Sequence, residues 1–287
     1  MSNVWLITGS GSGLGRSIAQ AALEAGNRVV ATARNLRQLD NLIACYGDRV
    51  RVAQVDVTNE AECKGAVELA TSAFGRLDVV VNNAGYGDTR PFEEVSSDDF
   101  RLLIDTCLFG AVNITREALP IMRKQRSGHI IQISSAGGRF ATAGNAAYHA
   151  AKWAVGGFTE ALAAETAPFG AKVTALEPGG MRTNWGKRAF GNRPAMLADY
   201  ESSVGENIRQ LESYWGNEAG DPDKVAAVVL KVAGAERLPA HILLGSDALH
   251  VAQDADEARA AAAERWRAIS LWTDLGSEGP LPSLPAE

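Results

Sequence analysis

Tyr148 and Lys152 are four residues apart and could together perform acid–base chemistry. Both lie in a stretch, residues 146–167, whose pattern predicts a helix, and residues four apart share one face of a helix. A phenol has a reference pKa of about 10, and a neighbouring ammonium should lower it by stabilising the phenolate. Tyr148 could then donate a proton to a carbonyl oxygen or accept one from an alcohol. Alternatively, the pair is an exposed part of an amphipathic helix.

A glycine-rich turn near the start of the chain is typical of phosphate binding. Gly9, Gly11, Gly13 and Gly15 separate a predicted strand from a predicted helix. Glycines let an anion approach the backbone N–H groups, and the helix N-terminus adds a favourable dipole. The spacing, T-G-x-x-x-G-x-G beginning at Thr8, differs from the common G-x-G-x-x-G. The strand–turn–helix context favours a dinucleotide phosphate over a turn that merely needs positive φ.

The end of the second predicted strand indicates which dinucleotide is bound. A dinucleotide fold usually places an acid there to bind the adenosine ribose hydroxyls. This chain has Ala33 at that position and Arg34 next. A guanidinium can bind a 2′-phosphate that a carboxylate would repel. The sequence therefore favours NADP(H) over NAD(H), unless Arg34 is only a solvated loop charge.

Short apolar runs alternate with helical stretches along the chain, which predicts a mostly parallel sheet covered by helices on both faces. The predicted strands are residues 4–7, 28–32, 50–55, 77–81, 129–133, 172–176 and 241–244. The third helix should be capped by Thr58 or Asn59. A long helix should begin with Ser97 as its cap and continue to residue 123, and Asp221-Pro222 should open a later helix.

Residues 180–220 show weak periodicity, which is typical of a binding loop. We expect the substrate to bind chiefly against residues 184–216. Several large side chains there could line an apolar substrate pocket or could simply cover the core. They are Trp185, Phe190, Met196, Tyr200, Tyr214 and Trp215.

Composition excludes several classes of function. Among 287 residues, 28 basic and 34 acidic side chains give a net charge of −6, which disfavours nucleic-acid or anionic-membrane binding. Cys45, Cys63 and Cys107 show neither a disulfide pattern nor zinc spacing, so we predict no metal and a reduced, cytoplasmic compartment. No apolar run approaches the ~20 residues of a membrane span.

The run N-N-A-G at residues 82–85, together with the glycine turn and Tyr148-x-x-x-Lys152, resembles the classical short-chain dehydrogenase/reductases over roughly residues 4–250. The resemblance implies one Rossmann-type domain at 1–250, with a doubly wound seven-stranded parallel sheet. Residues 251–287 are then a helical extension and tail. It also implies a nicotinamide cofactor and a homodimer or homotetramer.

The resemblance also assigns catalytic residues. Ser135 lies 13 residues before Tyr148, the spacing of the family, and is preferred to Ser134. In the family this serine hydrogen-bonds the reacting oxygen, and the lysine also binds the nicotinamide ribose. Cys107 stands where the family usually has an Asn that acts largely through its main-chain carbonyl, and a Cys could keep that carbonyl.

Cofactor contacts follow from the same motifs. The resemblance assigns them to Thr8, Gly9, Ser12, Gly13, Leu14, Gly15, Asp56, Val57, Asn83, Ala84, Gly85, Tyr148, Lys152, Pro178, Gly179, Met181 and Thr183.

The function favoured by these motifs is NADP(H)-dependent interconversion of a small-molecule alcohol and a ketone or aldehyde. One alternative is a non-catalytic NADP(H) sensor. Another is an epimerase or dehydratase of the extended branch, although that branch usually has a different glycine spacing and a larger C-terminal domain.

Overall fold

A seven-stranded, all-parallel sheet forms the centre of the computed structural model, which describes residues 2–190 and 196–285. The strands lie in the order β3-β2-β1-β4-β5-β6-β7. Their bounds are β1 Val4–Ile7, β2 Arg28–Ala33, β3 Val50–Gln54, β4 Val79–Asn82, β5 Gly128–Ile133, β6 Ala171–Pro178 and β7 His241–Leu244. Residues 191–195, within the predicted substrate loop, lie outside the described residues.

Helices cover both faces of this sheet, which confirms the predicted doubly wound Rossmann-type fold. One face packs on apolar side chains that include Ile18 and Val229, and the other on a set that includes Val67 and Ile114. Burying an aliphatic side chain of this size contributes about 1.5–3 kcal/mol. The helices are α1 Gly13–Glu24, α2 Asp40–Tyr46, α3 Glu60–Phe74, α4 Ser97–Ile104, α5 Gly110–Gln125, α6 Ala146–Thr166, α7 Trp185–Ala189, α8 Glu206–Tyr214, α9 Pro222–Ala233, α10 Ser246–Arg265 and α11 Arg267–Trp272.

The long helix predicted from Ser97 is interrupted. A single π-helical turn, Asp105–Phe109, separates α4 from α5, and Ser96 rather than Ser97 caps α4 by accepting from the Asp99 amide at 3.0 Å. One extra residue in a turn leaves the apolar spacing on either side nearly unchanged, so periodicity does not show it. Two other helices begin as predicted: Asn59 caps α3, and Asp221 caps α9.

The C-terminal extension at residues 251–287 stays a prediction, although the helix that leads into it starts before residue 251. α10 starts at Ser246, so the expected boundary at residue 250 falls inside a helix. Within α10, Ala248 and Ala252 are the buried residues, while Trp266 and Trp272 farther along are exposed. No helix in the described ranges is both long and apolar enough to cross a membrane.

A histidine at the start of β7 joins a glutamate near the end of β6 to a glutamate on α6. His241 contacts Glu177 through Nδ1 at 2.7 Å and Glu160 through Nε2 at 2.8 Å. Arg139 also faces Glu177, at 3.8 Å. The hydrogen bond to Glu177 is the main cause that raises the pKa of His241 above its ordinary value of 6.5, although burial and Arg139 oppose it.

Replacing His241 by Gln should destabilise the protein more in mild acid than in mild alkali. Because the folded-state pKa is raised, the stabilisation is fully present below pH 6.5 and is lost as pH rises through the folded-state pKa. We expect the free energy of unfolding to fall by about 1 kcal/mol at about pH 6, which lowers Tm by ~2–4 °C. Thermal melts of the wild type and the variant, in mild acid and in mild alkali, measure this difference.

The control is His250→Gln, since His250 pairs with Asp254 at an exposed site. It should change Tm little at either pH. An equal loss for His241→Gln in acid and alkali would contradict the charged-histidine explanation.

Candidate active site

A cavity of about 1290 Å³ opens at the carboxyl edge of the sheet, where the strand order reverses between β1 and β4. Ligands of open α/β sheets bind at such a reversal. Most residues predicted from motifs line this cavity, and Thr8 and Cys107 do not. Those that do are Gly9, Ser12, Gly13, Leu14, Gly15, Arg34, Asp56, Val57, Asn83, Ala84, Gly85, Ser135, Tyr148, Lys152, Pro178, Gly179, Met181 and Thr183.

The glycine turn has the shape that its composition predicts. Gly9 and Gly13 have positive φ, +67° and +55°. At Gly15, a Cβ would lie 2.4 Å from the Gly9 carbonyl oxygen, so only glycine lets α1 approach this closely. Ser12 occupies the N-cap of α1 without a side-chain capping bond, and the first turn of α1 contains no acid. The α1 N-terminus thus fits an anionic group such as a dinucleotide phosphate.

Thr8 connects the glycine turn to the loop after β4. Its hydroxyl oxygen accepts from the amides of Asn83 at 2.9 Å and Ala84 at 3.0 Å, and the Asn83 side chain donates to the Thr8 carbonyl at 2.9 Å. Thr8 is buried. It therefore holds two walls of the cavity together instead of facing the cavity itself.

Three side chains converge near the start of α6. The Lys152 ammonium donates to the Ile133 carbonyl at 2.9 Å and lies 5.7 Å from the centre of the Tyr148 ring. Ser135 hydrogen-bonds the Tyr148 phenol, which favours the phenolate. Ser134 instead donates to the Lys152 carbonyl at 3.4 Å.

The expected lowering of the Tyr148 pKa is not what this arrangement produces. Burial raises the pKa of Tyr148, and the hydrogen bond from Ser135 opposes that rise only in part. Burial also lowers the pKa of Lys152. The ammonium is bound to the Ile133 carbonyl, and burial outweighs the favourable interactions of the phenolate. Tyr148 is therefore protonated at neutral pH, the form that can donate a proton.

Cys107 lies in the π-helical turn and is buried. Its thiol donates to the Tyr86 carbonyl at 3.4 Å, and a Cβ on Gly85 would lie 3.3 Å from its sulfur. The side chain thus supports the segment that follows the N-N-A-G run.

His149 packs beneath the segment that carries Ser135. Its Nε2 accepts from the Thr142 amide at 3.0 Å, which leaves Nδ1–H to donate to the Gly137 carbonyl at 2.7 Å. The acceptor role of Nε2 requires neutral imidazole, and burial lowers the pKa of His149, although the bond to Gly137 opposes that shift. His149 is thus a buried support for this segment.

Aromatic side chains form the wall opposite α6. The Trp185 ring lies 5.2 Å from that of Tyr148 and so close to Gly87 that a Cβ there would be 2.6 Å from it. Phe190 and Trp215 pack edge to face at 5.0 Å. Of the six side chains left open by the sequence, four line the cavity and two do not. The four are Trp185, Phe190, Tyr214 and Trp215, whereas Met196 and Tyr200 lie elsewhere.

Asp247, in the first turn of α10, was not predicted to belong to the site. Its carboxylate accepts from the Gly180 amide at 2.8 Å and from the Tyr214 hydroxyl at 3.3 Å. A Cβ on Gly179 would lie 2.3 Å from Asp247 Oδ1. Contact with a protein side chain therefore explains the glycine at position 179, which the sequence assigned to cofactor binding. An acid just after the last strand was the available signal.

Comparisons with known proteins point to one family. The family model described as short chain dehydrogenase matches residues 3–193. The oxidoreductase BOA17 of Botryotinia fuckeliana is 45% identical over 94% of this chain and 99% of its own length.

Two solved structures extend the likeness to the fold. A short-chain dehydrogenase from Streptomyces avermitilis has a TM-score of 0.87 at 38% identity, covering 96% of this chain and all of its own. ElxO with NADP bound has a TM-score of 0.71 at 27% identity, covering 85% of this chain and 96% of its own. Because the family model matches well over half of this chain, the chain belongs to the short-chain dehydrogenase family.

Proposed function

We propose that this protein is an NADP(H)-dependent oxidoreductase that interconverts a small-molecule alcohol and a ketone or aldehyde. The observation that carries the proposal is the cluster of Ser135, Tyr148 and Lys152, which faces the same cavity as the glycine turn. When bound, a nicotinamide cofactor supplies or accepts the hydride. The protein then has to orient the substrate and move one proton.

In reduction, Tyr148 donates its phenolic proton to the carbonyl oxygen. The raised pKa of Tyr148 keeps that proton available at neutral pH. Ser135 hydrogen-bonds the phenol and can also hold the substrate oxygen beside it. Lys152, fixed by the Ile133 carbonyl, holds its ammonium 5.7 Å from the centre of the Tyr148 ring, and a positive charge on that side favours the phenolate left by proton transfer.

Turnover with a panel of ketones and aldehydes, measured with NADPH and NADH in parallel, tests the proposal. Oxidation of NADPH that depends on a carbonyl substrate is the expected result. Tight NADPH binding without turnover on any substrate would instead favour the sensor alternative. A clear preference for NADH would contradict the choice of cofactor.

The preference for NADP(H) rests on Arg34, which is exposed and lines the cavity directly after the buried Ala33. ElxO, whose structure contains NADP, supports it as a relative. Arg34→Ala should weaken NADPH binding about tenfold, because a charge-assisted bond to the 2′-phosphate is lost. NADH, which lacks that phosphate, should bind with its Kd changed less than about twofold.

The matched control is Arg37→Ala, since Arg37 is exposed nearby and does not line the cavity. Both Kd values should be unchanged in that variant. If Arg34→Ala weakened NADPH and NADH equally, recognition of the 2′-phosphate by Arg34 would be wrong. The predicted cytoplasmic location and homodimer or homotetramer remain predictions that fractionation and light scattering would test.

A further inference from the structure

Helix α7 joins the two ends of the cavity. It contains only residues 185–189, yet Trp185 at one end lies 5.2 Å from the Tyr148 ring. At the other end, Arg188 Nη1 donates to the Ser12 hydroxyl at 3.3 Å, a contact between residues 176 positions apart. One short helix thus contacts both the catalytic tyrosine and the glycine turn.

Arg188 forms no ion pair with a carboxylate in the described part of the chain. Arg188 is exposed and lines the cavity. Within the described ranges, no Asp or Glu oxygen lies at ion-pairing distance from it. Ser12, its partner, is the N-cap of α1, and the first turn of α1 has no acid. A cation at the positive end of a helix dipole is unfavourable by itself, whereas an anion between the two would interact well with both.

We propose that Arg188 binds the diphosphate of the nicotinamide cofactor. The proposal rests on the function proposed above and adds to it a residue outside the family motifs. A dinucleotide diphosphate lies at the N-terminus of the first helix of such a fold, where Arg188 meets Ser12. Arg34, at the end of β2, occupies the position suited to the 2′-phosphate. The two arginines therefore bind different phosphates.

This division has a consequence that can be measured. NADPH and NADH share the diphosphate and differ in the 2′-phosphate. Arg188→Ala should raise Kd for both cofactors by the same factor, about tenfold or more, as expected for a charge-assisted bond. Arg34→Ala should raise Kd for NADPH alone. Arg188→Lys should recover part of the affinity that Arg188→Ala loses, because lysine keeps the positive charge. The recovery should be incomplete, because lysine lacks the planar group of donors of a guanidinium.

The experiment is isothermal titration of the purified full chain with NADPH and with NADH, using displacement titration for the weaker cofactor. Lys187→Ala is the matched control, because Lys187 is a neighbouring exposed cation that does not line the cavity. Its Kd values should equal those of the wild type. Thermal melts without cofactor show whether each variant is folded.

The two proposals fail in different ways. If wild-type protein bound neither cofactor, the proposed function itself would be overturned. If wild-type protein bound both, but Arg188→Ala changed neither Kd by more than about twofold, only the role of Arg188 would be wrong. Weakening of NADPH alone in Arg188→Ala would also overturn that role, because it would place Arg188 at the 2′-phosphate.

Discussion

Replacing Tyr148 by Phe is expected to reduce NADPH-dependent carbonyl reduction about a thousandfold, the usual scale for loss of a positioned general acid. The substitution removes one oxygen and leaves the ring in place against Trp185 and Lys152. Cofactor affinity should therefore change little. Steady-state kinetics with a substrate from the panel, together with titration of NADPH, separate the two effects.

The pH dependence gives a second readout for Tyr148. Because burial raises the pKa of Tyr148, wild-type reduction should be insensitive to this group through neutral pH. The rate should fall only as alkaline pH removes the phenolic proton. That alkaline decline should be missing from the residual activity of Tyr148→Phe.

Tyr46→Phe is the control, since Tyr46 lies on α2 with its hydroxyl on Glu24 and outside the cavity. It should behave like the wild type. Retention of more than about a tenth of the activity by Tyr148→Phe would contradict the proton-donor role.

Replacing Gly15 by Ala is expected to damage both stability and cofactor binding. The added methyl would lie 2.4 Å from the Gly9 carbonyl oxygen and 2.4 Å from Asn83 Nδ2. Because the first of these is backbone, α1 must shift away from the turn. Overpacking of this kind costs about 1–3 kcal/mol, and each kcal/mol lowers Tm by ~2–4 °C in a chain of this size. Moving the start of α1 should also weaken NADPH binding at least about tenfold, since a charge-assisted phosphate contact is worth that much.

The same substitution can be made where space is available. Gly65 lies inside α3, and a Cβ there would meet no atom within 4 Å. Gly65→Ala should stabilise the protein by about 0.5–1 kcal/mol, because alanine loses less backbone entropy in a helix. If the two variants had similar Tm and similar NADPH affinity, close packing at Gly15 would not be the reason for that glycine.

Much of the fold could be predicted from the sequence, because parallel strands buried on both faces are continuous apolar runs. β1, for example, is buried at all four positions. The π-helical turn before α5 was missed, because the apolar spacing within the segment on either side of it is that of an ordinary helix. Local polar signals were reliable to one residue, as the shift of the α4 cap from Ser97 to Ser96 shows.

The residues of the candidate site could be predicted where they follow sequence motifs. They could not be predicted where two side chains meet from distant positions, nor could the effect of burial on a pKa. Spacing selected Ser135, which hydrogen-bonds Tyr148, but it could not show that burial would raise the phenol pKa. Asp247 reaches the Gly180 amide from 67 positions away, and Arg188 reaches Ser12 from 176. No local pattern predicts which distant side chains will meet.

The attachment of α10 should divide the C-terminal part of the chain into two regions with different evolutionary freedom. Asp247 holds the Gly180 loop, and Ala248 and Ala252 are buried, so the root of the helix is coupled to the cavity. Beyond it, Trp266 and Leu271 are exposed. Gene fusions, truncations and lineage-specific sequence drift should therefore be accepted after residue 265 and rejected near residue 247.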